Sequence, residues 1–261
     1  MFHDLTMKIV MSANTSWNII NFRAGLVRAL INDGHELVVL TPCDGFETHL
    51  PAFGCRHILL EIDSHSRSPW RDLKLFYRYT QVMRAERPDA FLGYTIKPNI
   101  YGSLAATWCS VPVINNISGL GSTFINDTLL TRVVQILYRA ALRKSATVFF
   151  QNAEDRTHFV DSQLVTASQT ELLPGSGIDL DKFAACPPLV EKPSTTFLMI
   201  ARLLRDKGVF EFAEAARLVR TAHPDAHFQL LGPLDDSNPN AVSQTELQQW
   251  IDEDLIHYLG E

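Results

Sequence analysis

The sequence predicts an α/β protein made of two doubly wound parallel-sheet domains, the second incomplete. Three observations carry that expectation. Short β-branched apolar runs alternate with longer segments of helical period, the signature of parallel strands joined by right-handed crossovers. A proline-dense break, with three prolines in the eleven residues from Ala184 to Ser194, then interrupts the alternation. The pattern restarts at Thr196 and reaches Glu261 after two helices. The expected division is a first domain over 1–183, a linker over 184–195 and a partial second domain over 196–261.

The elements follow in order. Met7-Lys-Ile-Val-Met-Ser reads as a first strand. From Asn18 to Asp33, Ile19, Phe22, Leu26, Leu30 and Ile31 fall on one stripe of a single helix, stopped by Gly34. His35-Glu-Leu-Val-Val-Leu-Thr is a second strand closed by Pro42 and Gly45, and Arg56-His-Ile-Leu-Leu-Glu-Ile a third. Pro69 opens a helix at its favoured first-turn position, and that helix runs to Pro88. Strands are expected at 89–94, 111–116, 147–151 and 171–173, with helices at about 99–107 and 127–144 between them. After the break come a strand at 196–200, a helix at 208–222, a strand at 226–231, a helix at 244–254 and the start of another strand at 256. So short a sheet leaves apolar runs such as Phe228-Gln-Leu-Leu without neighbours. The expectation is that a complete second domain continues for roughly another hundred residues.

Composition narrows the class. A chain of 261 residues, 46% hydrophobic and 20% charged, has ample material for a core and is neither disordered nor fibrous. Cys43, Cys55, Cys109 and Cys186 form no CxxC pair and no His/Cys grouping, so no metal or redox site is expected and the thiols read as reduced, in a cytoplasmic protein. No eighteen-residue apolar run exists, and the N-terminus lacks the features of a secretion signal. The Asn-x-Ser/Thr matches at Asn14, Asn116 and Asn126 therefore read as chance. Charge is uneven: residues 66–144 carry eleven Lys/Arg against four Asp/Glu inside a chain of net charge −6. Such a basic middle is either a solvated helical surface or a face for anionic lipid headgroups. Nucleic acid is not expected, since the acidic remainder repels phosphate and no recognition motif occurs.

In open parallel sheets ligands bind beyond the carboxyl ends of the strands, so those loops hold the chemistry. The first, Ala13-Asn-Thr-Ser-Trp-Asn-Ile-Ile-Asn-Phe-Arg, has no GxGxxG, which speaks against a dinucleotide. GxxxxGK[ST], GxSxG and HExxH are all absent, leaving P-loop NTPases and the common hydrolases without support. Lys97 precedes a helix start and could meet a substrate, or be an ordinary exposed lysine. Gly119 and Gly121 follow the fifth strand and suit either a ligand's close approach or a tight turn. Gly175 and Gly177 read equally as turn or hinge glycines. The sharpest constellation is Ile200-Ala-Arg-Leu-Leu-Arg-Asp-Lys-Gly-Val, where Arg202 and Lys207 flank a helix N-terminus, an arrangement suited to a diphosphate or to a salt-bridge network.

That strand–Ala-Arg-(x)4-Lys-Gly–helix element, preceded by Gly-Ser-Gly-Ile-Asp-Leu-Asp-Lys-Phe, resembles the family 4 glycosyltransferases. So do Ser-Trp-Asn-Ile-Ile-Asn-Phe-Arg, Gly-His-Glu-Leu-Val-Val-Leu-Thr, Lys-Pro-Asn-Ile-Tyr-Gly and Ile-Ser-Gly-Leu-Gly-Ser in the first domain. The resemblance covers essentially the whole chain, and the combination is similar to bacterial members that extend undecaprenyl-diphosphate-linked sugars or other envelope glycans. It implies a retaining enzyme of the GT-B fold, two Rossmann-like domains, taking a UDP-sugar and moving a hexose or N-acetylhexosamine to a lipid-linked acceptor without a metal. It implies that Arg202 and Lys207 grip the donor diphosphate and stabilise the leaving UDP. Gly119, Gly121, Gly175 and Gly177 would lie on the donor side, and Asn14, Asn21, Arg23 and Lys97 on the acceptor side. The family's Glu-(x)7-Glu pair is expected beyond Glu261. Peripheral attachment to the inner face of the cytoplasmic membrane would run through 66–87, with Trp70, Arg71, Lys74, Phe76, Tyr77 and Arg78 on one amphipathic helix. The alternatives are a sugar-nucleotide epimerase of the same architecture and an inactive fragment or binding module.

Overall fold

In a computed structural model, residues 6–63, 66, 68–119, 129–186, 194–234, 238 and 240–261 are described. The chain divides into two compact units, Met1–Ala184 and Ala185–Glu261.

Unit 1 holds a seven-stranded parallel sheet, with β1 (Lys8–Ser12), β2 (Glu36–Thr41), β3 (Arg56–Leu59), β4 (Ala90–Tyr94), β5 (Val113–Ile117), β6 (Thr147–Phe150) and β7 (Thr170–Leu172). The spatial order is β3-β2-β1-β4-β5-β6-β7. Ile9 thus lies between Leu37 of β2 and Ala90 of β4, and strand addition reverses direction at the β1/β4 boundary. A crevice opens at the carboxyl ends of two such strands, which is where this fold class binds ligands.

Period-two alternation divides the core between the sheet faces. Ile9, Met11, Leu37 and Val39 pack with Ile19 of α1 (Ser16–Phe22) and Val27 of α2 (Ala24–Asn32). Val10, Val38, Leu40 and Phe91 point the other way. They meet Leu75, Tyr79 and Met83 of α3 (Pro69–Glu86) and Ala105 and Ala106 of α4 (Ser103–Trp108). Val148 and Phe150 pack with Tyr138, Ala141 and Leu142 of α5 (Leu129–Leu142) and Phe159 of α6 (Ala153–Asp161). Unit 2 has β8 (Thr196–Ile200), β9 (His227–Leu231) and β10 (His257–Tyr258), parallel in the order β10-β9-β8, with α7 (Val209–Ala222) and α8 (Gln244–Asp252).

Three expectations need correction. The single helix over 18–33 is two helices, because Arg23 leaves helical geometry at φ −126°, ψ 2°. The break re-aims the stripe: Phe22 and Leu26 are about 40% exposed, and Ile19 and Val27 are the buried anchors. The helix at 99–107 opens as a wide π turn, Pro98–Gly102, before α4. Gly102 permits this approach, since a Cβ there would lie 2.3 Å from the Phe91 ring. Helix α6 was not expected at all, although Asn152 caps it and Glu154 and Asp155 open it. Residues 187–193 of the proposed linker and 127–128 of the proposed helix lie outside the described residues.

Candidate functional site

In unit 2 the loop from Ala201 to Gly208 leaves the carboxyl end of β8 and enters α7. Backbone bonds fix its path: Leu203 N donates to Pro233 O at 3.0 Å, Arg205 N to Asn240 O at 2.8 Å and Val242 N to Leu203 O at 2.9 Å. Leu203 and Leu204 are buried beneath it. Gly232 makes the contact with β9 feasible, because a Cβ there would stand 1.9 Å from the Ala201 carbonyl oxygen. Sequence reading missed Gly232, whose role depends on a contact across two strands.

The three cations of this loop have different fates. Arg205 is committed to the fold, paired with Glu246 at 2.8 Å and lying 4.2 Å over the Phe210 ring. Lys207 stands 3.3 Å from its neighbour Asp206, both partly open to water. Arg202 is exposed, and its guanidinium has neither ion pair nor hydrogen bond with the described residues. Gly208, at φ 79°, takes the left-handed conformation that turns the loop into α7. Among the described residues the arrangement offers one unpaired cation, one weakly held cation and the orphan amides of a helix start, with Asp206 and Glu211 as acidic neighbours.

In unit 1 the loops cluster at the β1/β4 crevice. Asn14, half-buried, donates its amide to Thr95 Oγ1 at 3.1 Å. Thr95 itself has φ 63°, a strained value for a β-branched residue. Arg23, 5% exposed, lies at the α1/α2 break with its guanidinium carbon 4.6 Å over the Tyr94 ring. Its Nη1 donates to Ser176 Oγ and, at 3.3 Å, to the carbonyl oxygen of Phe22. Gln151 Nε2 donates to the same Ser176 oxygen at 3.2 Å. Ser176 is presented by Gly175 and Gly177, both left-handed at φ 73° and 71°. Those glycines act here as turn residues that aim the serine at Arg23. Burial lowers the Arg23 pKa and raises that of Tyr94.

Beneath the crevice Asn99, Asn115, Ser103 and Ser145 form a buried polar layer. Asn115 Nδ2 donates at 2.8 Å to both Asn99 Oδ1 and Ser103 Oγ, and Ser145 Oγ donates to Asn115 Oδ1 at 2.6 Å. Gly119, at φ 151°, follows β5 with open space around it; Gly121 lies outside the described residues. Two expected acceptor-side residues are turned elsewhere. The Lys97 ammonium is 2.6 Å from Asp72 and 2.9 Å from the Ser66 carbonyl oxygen, and Tyr101 Oη donates to the same carboxylate at 2.8 Å, making Lys97 a strut onto α3. Asn21 is exposed and donates back along α1 to the Trp17 carbonyl oxygen at 3.0 Å. Thr95, Tyr94, Gln151 and Ser176 escaped the sequence reading, and only the glycine bracket around Ser176 could have marked one of them.

On α3, Trp70, Leu73 and Tyr77 form an apolar stripe, 80%, 56% and 59% exposed, flanked by exposed Lys74 and Arg78. Phe76, expected on that face, packs inward against the core, and Arg71 is paired with Asp63 at 2.6 Å. Among the described residues no helix is long and apolar enough to cross a membrane. Two hollows, of about 320 and 600 Å3, are lined by α7 and α8 residues and by none of the loop residues above.

Residues 21–175 match the family described as "Glycosyl transferase 4-like domain". The chain is 28% identical to an N,N'-diacetylbacillosaminyl-diphospho-undecaprenol alpha-1,3-N-acetylgalactosaminyltransferase of Campylobacter jejuni, over 97% of this chain and 69% of that protein. It is 24% identical to a UDP-Gal:alpha-D-GlcNAc-diphosphoundecaprenol alpha-1,3-galactosyltransferase of Escherichia coli, over 62% of this chain and 45% of that one. Among solved structures, Anabaena HepE in complex with UDP and glucose superposes with a TM-score of 0.70 at 17% identity, over 97% of this chain and 69% of that one. A UDP-N-acetylglucosamine 2-epimerase superposes at 0.64 with 14% identity, over 98% and 69%. These two likenesses speak to the fold, which is that of GT-B glycosyltransferases.

Proposed function

The chain belongs to the glycosyl transferase 4-like family, and on that premise we propose that it moves a hexose or N-acetylhexosamine from a UDP-sugar to a polyprenyl-diphosphate-linked acceptor in cell-envelope glycan synthesis. The observation that carries the reading is Arg202: a guanidinium with no ion pair among the described residues, on a backbone-pinned loop at the start of a fourteen-residue helix. A UDP leaving group develops negative charge as the sugar–phosphate bond breaks. Arg202, Lys207 and the first amides of α7 are donors fixed in advance for that charge, the arrangement that lowers a transition state most. The Lys207–Asp206 pair is solvated and therefore worth little, so it yields readily to a diphosphate.

In this proposal the cations do what a divalent metal does in other transferases, and transfer survives EDTA. The acceptor meets the loops of unit 1 at the ends of β1 and β4, where Asn14 bonds Thr95 and Arg23 covers Tyr94. Both curated relatives named above are transferases acting on diphospho-undecaprenol sugars, which favours this class over isomerisation without an acceptor. Retention of anomeric configuration is part of the proposal as a family trait.

The test is Arg202→Ala combined with Lys207→Ala. Each charge-assisted contact is worth about 1.5–3 kcal/mol, so kcat/KM for the UDP-sugar should fall on the order of a hundred- to ten-thousand-fold with the fold intact by circular dichroism. Unchanged transfer would refute the diphosphate role. We also propose that the α3 stripe and its cations lie on anionic membrane. Vesicles rich in phosphatidylglycerol should sediment the protein at low salt, and Trp70→Ser with Tyr77→Ser should abolish sedimentation; equal recovery with neutral vesicles would count against it.

A further inference from the structure

We propose that Arg23 is the anchor of an oxoanion site at the carboxyl ends of β1 and β4, built to take a phosphoryl group of a diphosphate. Three independent features of unit 1 converge on it. The first is an unbalanced charge. A guanidinium stays protonated in proteins, and burying one without a partner costs several kcal/mol unless something compensates. Arg23 is 5% exposed, yet no carboxylate of the described residues pairs with it. The nearby segments carry acids that are engaged elsewhere: Asp44 accepts from the Trp17 amide at 3.0 Å, and Asp179 pairs with Arg28 at 3.2 Å. The Tyr94 ring face offsets part of the cost but supplies no counter-charge.

The second feature is which edge of the guanidinium is satisfied. Nη1 is used by Ser176 Oγ and the Phe22 carbonyl oxygen. Nε is buried with no hydrogen-bond partner, and Nη2 makes no hydrogen bond with the described residues. Nε and Nη2 form the side-on fork that meets two oxygens of a carboxylate or phosphate in a bidentate pair. The unfilled edge therefore has the geometry of oxoanion recognition.

The third feature is the donor character of its surroundings. Ser176 Oγ accepts from both Arg23 Nη1 and Gln151 Nε2, so its own proton is free to donate outward. The serine is exposed, in a turn whose two glycines have open space around them. A guanidinium, an amide N–H and a hydroxyl proton form a donor cluster with no acid among them. It lies at the strand-order reversal, where ligands of this fold class enter. Naming the ligand a diphosphate rests on the transferase reading; the oxoanion site itself does not.

The experiment uses the whole chain carrying Arg202→Ala and Lys207→Ala, so that the unit 2 loop contributes nothing. Inorganic diphosphate is titrated while the side-chain Nε–H signal of Arg23 is followed by 15N NMR, the signal being assigned by its loss in Arg23→Lys. The expected result is a saturable shift of that signal, with affinity falling at least tenfold in Arg23→Gln and partly restored in Arg23→Lys. A signal unmoved at millimolar diphosphate overturns the proposal without requiring any variant at position 23 to fold. Parallel titrations with UDP and with geranyl diphosphate identify the source, since the one weakened by Arg23→Gln is the donor or the acceptor; affinity for both left unchanged by the substitution overturns the site. If the signal shifts but the unmutated chain transfers no sugar, the site stands and the transferase reading falls. If transfer proceeds with unchanged KM for both substrates in Arg23→Gln, the site falls and the transferase reading stands.

Discussion

The two ends of the unit 1 sheet are built on opposite electrostatic plans. Where the strands begin, the charges on β1, β2, β3 and the end of α3 close on one another. Lys8 lies 3.3 Å from Glu36 and 3.5 Å from Glu86, Arg56 bonds Glu86 at 3.0 Å and Glu36 at 3.4 Å, and the Lys8 amide donates to Asp89 at 2.7 Å. Where they end, Arg23 has no acidic partner among the described residues, Thr95 holds a strained φ of 63°, and Ser176 stands between two left-handed glycines. The first end ties β1, β2, β3 and α3 together; the second keeps donors and conformational strain that stability alone would remove. Strain and unsatisfied charge concentrate at functional sites because binding, not folding, selects them.

The comparison would break if the carboxyl end were merely loose, and Gly93 tests that. A Cβ on Gly93 would stand 2.7 Å from Asn99 Oδ1 and 2.9 Å from Asn115 Nδ2. Gly93→Ala therefore forces apart the amide layer under the crevice and leaves buried polar atoms unpaired. The expected loss is about 2–4 kcal/mol, on the order of 10 °C in Tm. A drop of under 2 °C by calorimetry would mean that the layer gives way freely.

Arg23→Met sharpens the contrast with an opposite sign. Replacing an uncompensated buried cation by an apolar side chain of similar reach should leave unfolding free energy unchanged or raise it by up to about 3 kcal/mol, while diphosphate binding disappears. A marked loss of stability would assign Arg23 to the scaffold. Glu86→Ala is the mirror image. Removing the acid shared by Lys8 and Arg56 should cost about 1 kcal/mol in denaturant unfolding and leave diphosphate binding within twofold.

How much of this was legible in the sequence differs between the two ends for a physical reason. Alternating apolar runs located the ten strands to within a few residues, because period and β-branching are local properties. The Arg202 loop was equally visible, since strand, cations and helix start are contiguous. The crevice is not contiguous. Arg23 and Ser176 are 153 positions apart: one follows β1 and the other follows β7, and they meet across the carboxyl edge of a sheet whose order no local pattern encodes. The helix break at Arg23 was hidden by a stripe that fits one continuous helix, and tertiary packing of Ile19 and Val27 overrode it. Lys97 shows the converse, a loop cation placed by sequence near substrate and held by folding against Asp72.

The smallest expected effect concerns acid. Arg56, chiefly by direct hydrogen bonding, and Lys8 hold the Glu86 carboxyl below the usual carboxylate range. A carboxyl with a depressed folded pKa contributes stability that is complete above its unfolded value, about 4.3, and is lost as pH falls through the lower folded value. Glu86→Gln removes this dependence while keeping the side chain's length, so the stability gap between the native chain and the variant should narrow as pH drops from 6 to 3. Asp179, held down by the Lys182 amide and Arg28, keeps its own acid dependence in both proteins and cancels in the difference. Arg23→Met, which alters a cation far from titration in this range, should shift stability by the same amount at every pH. A gap that narrows for Arg23→Met and stays constant for Glu86→Gln would reverse the assignment of the two ends.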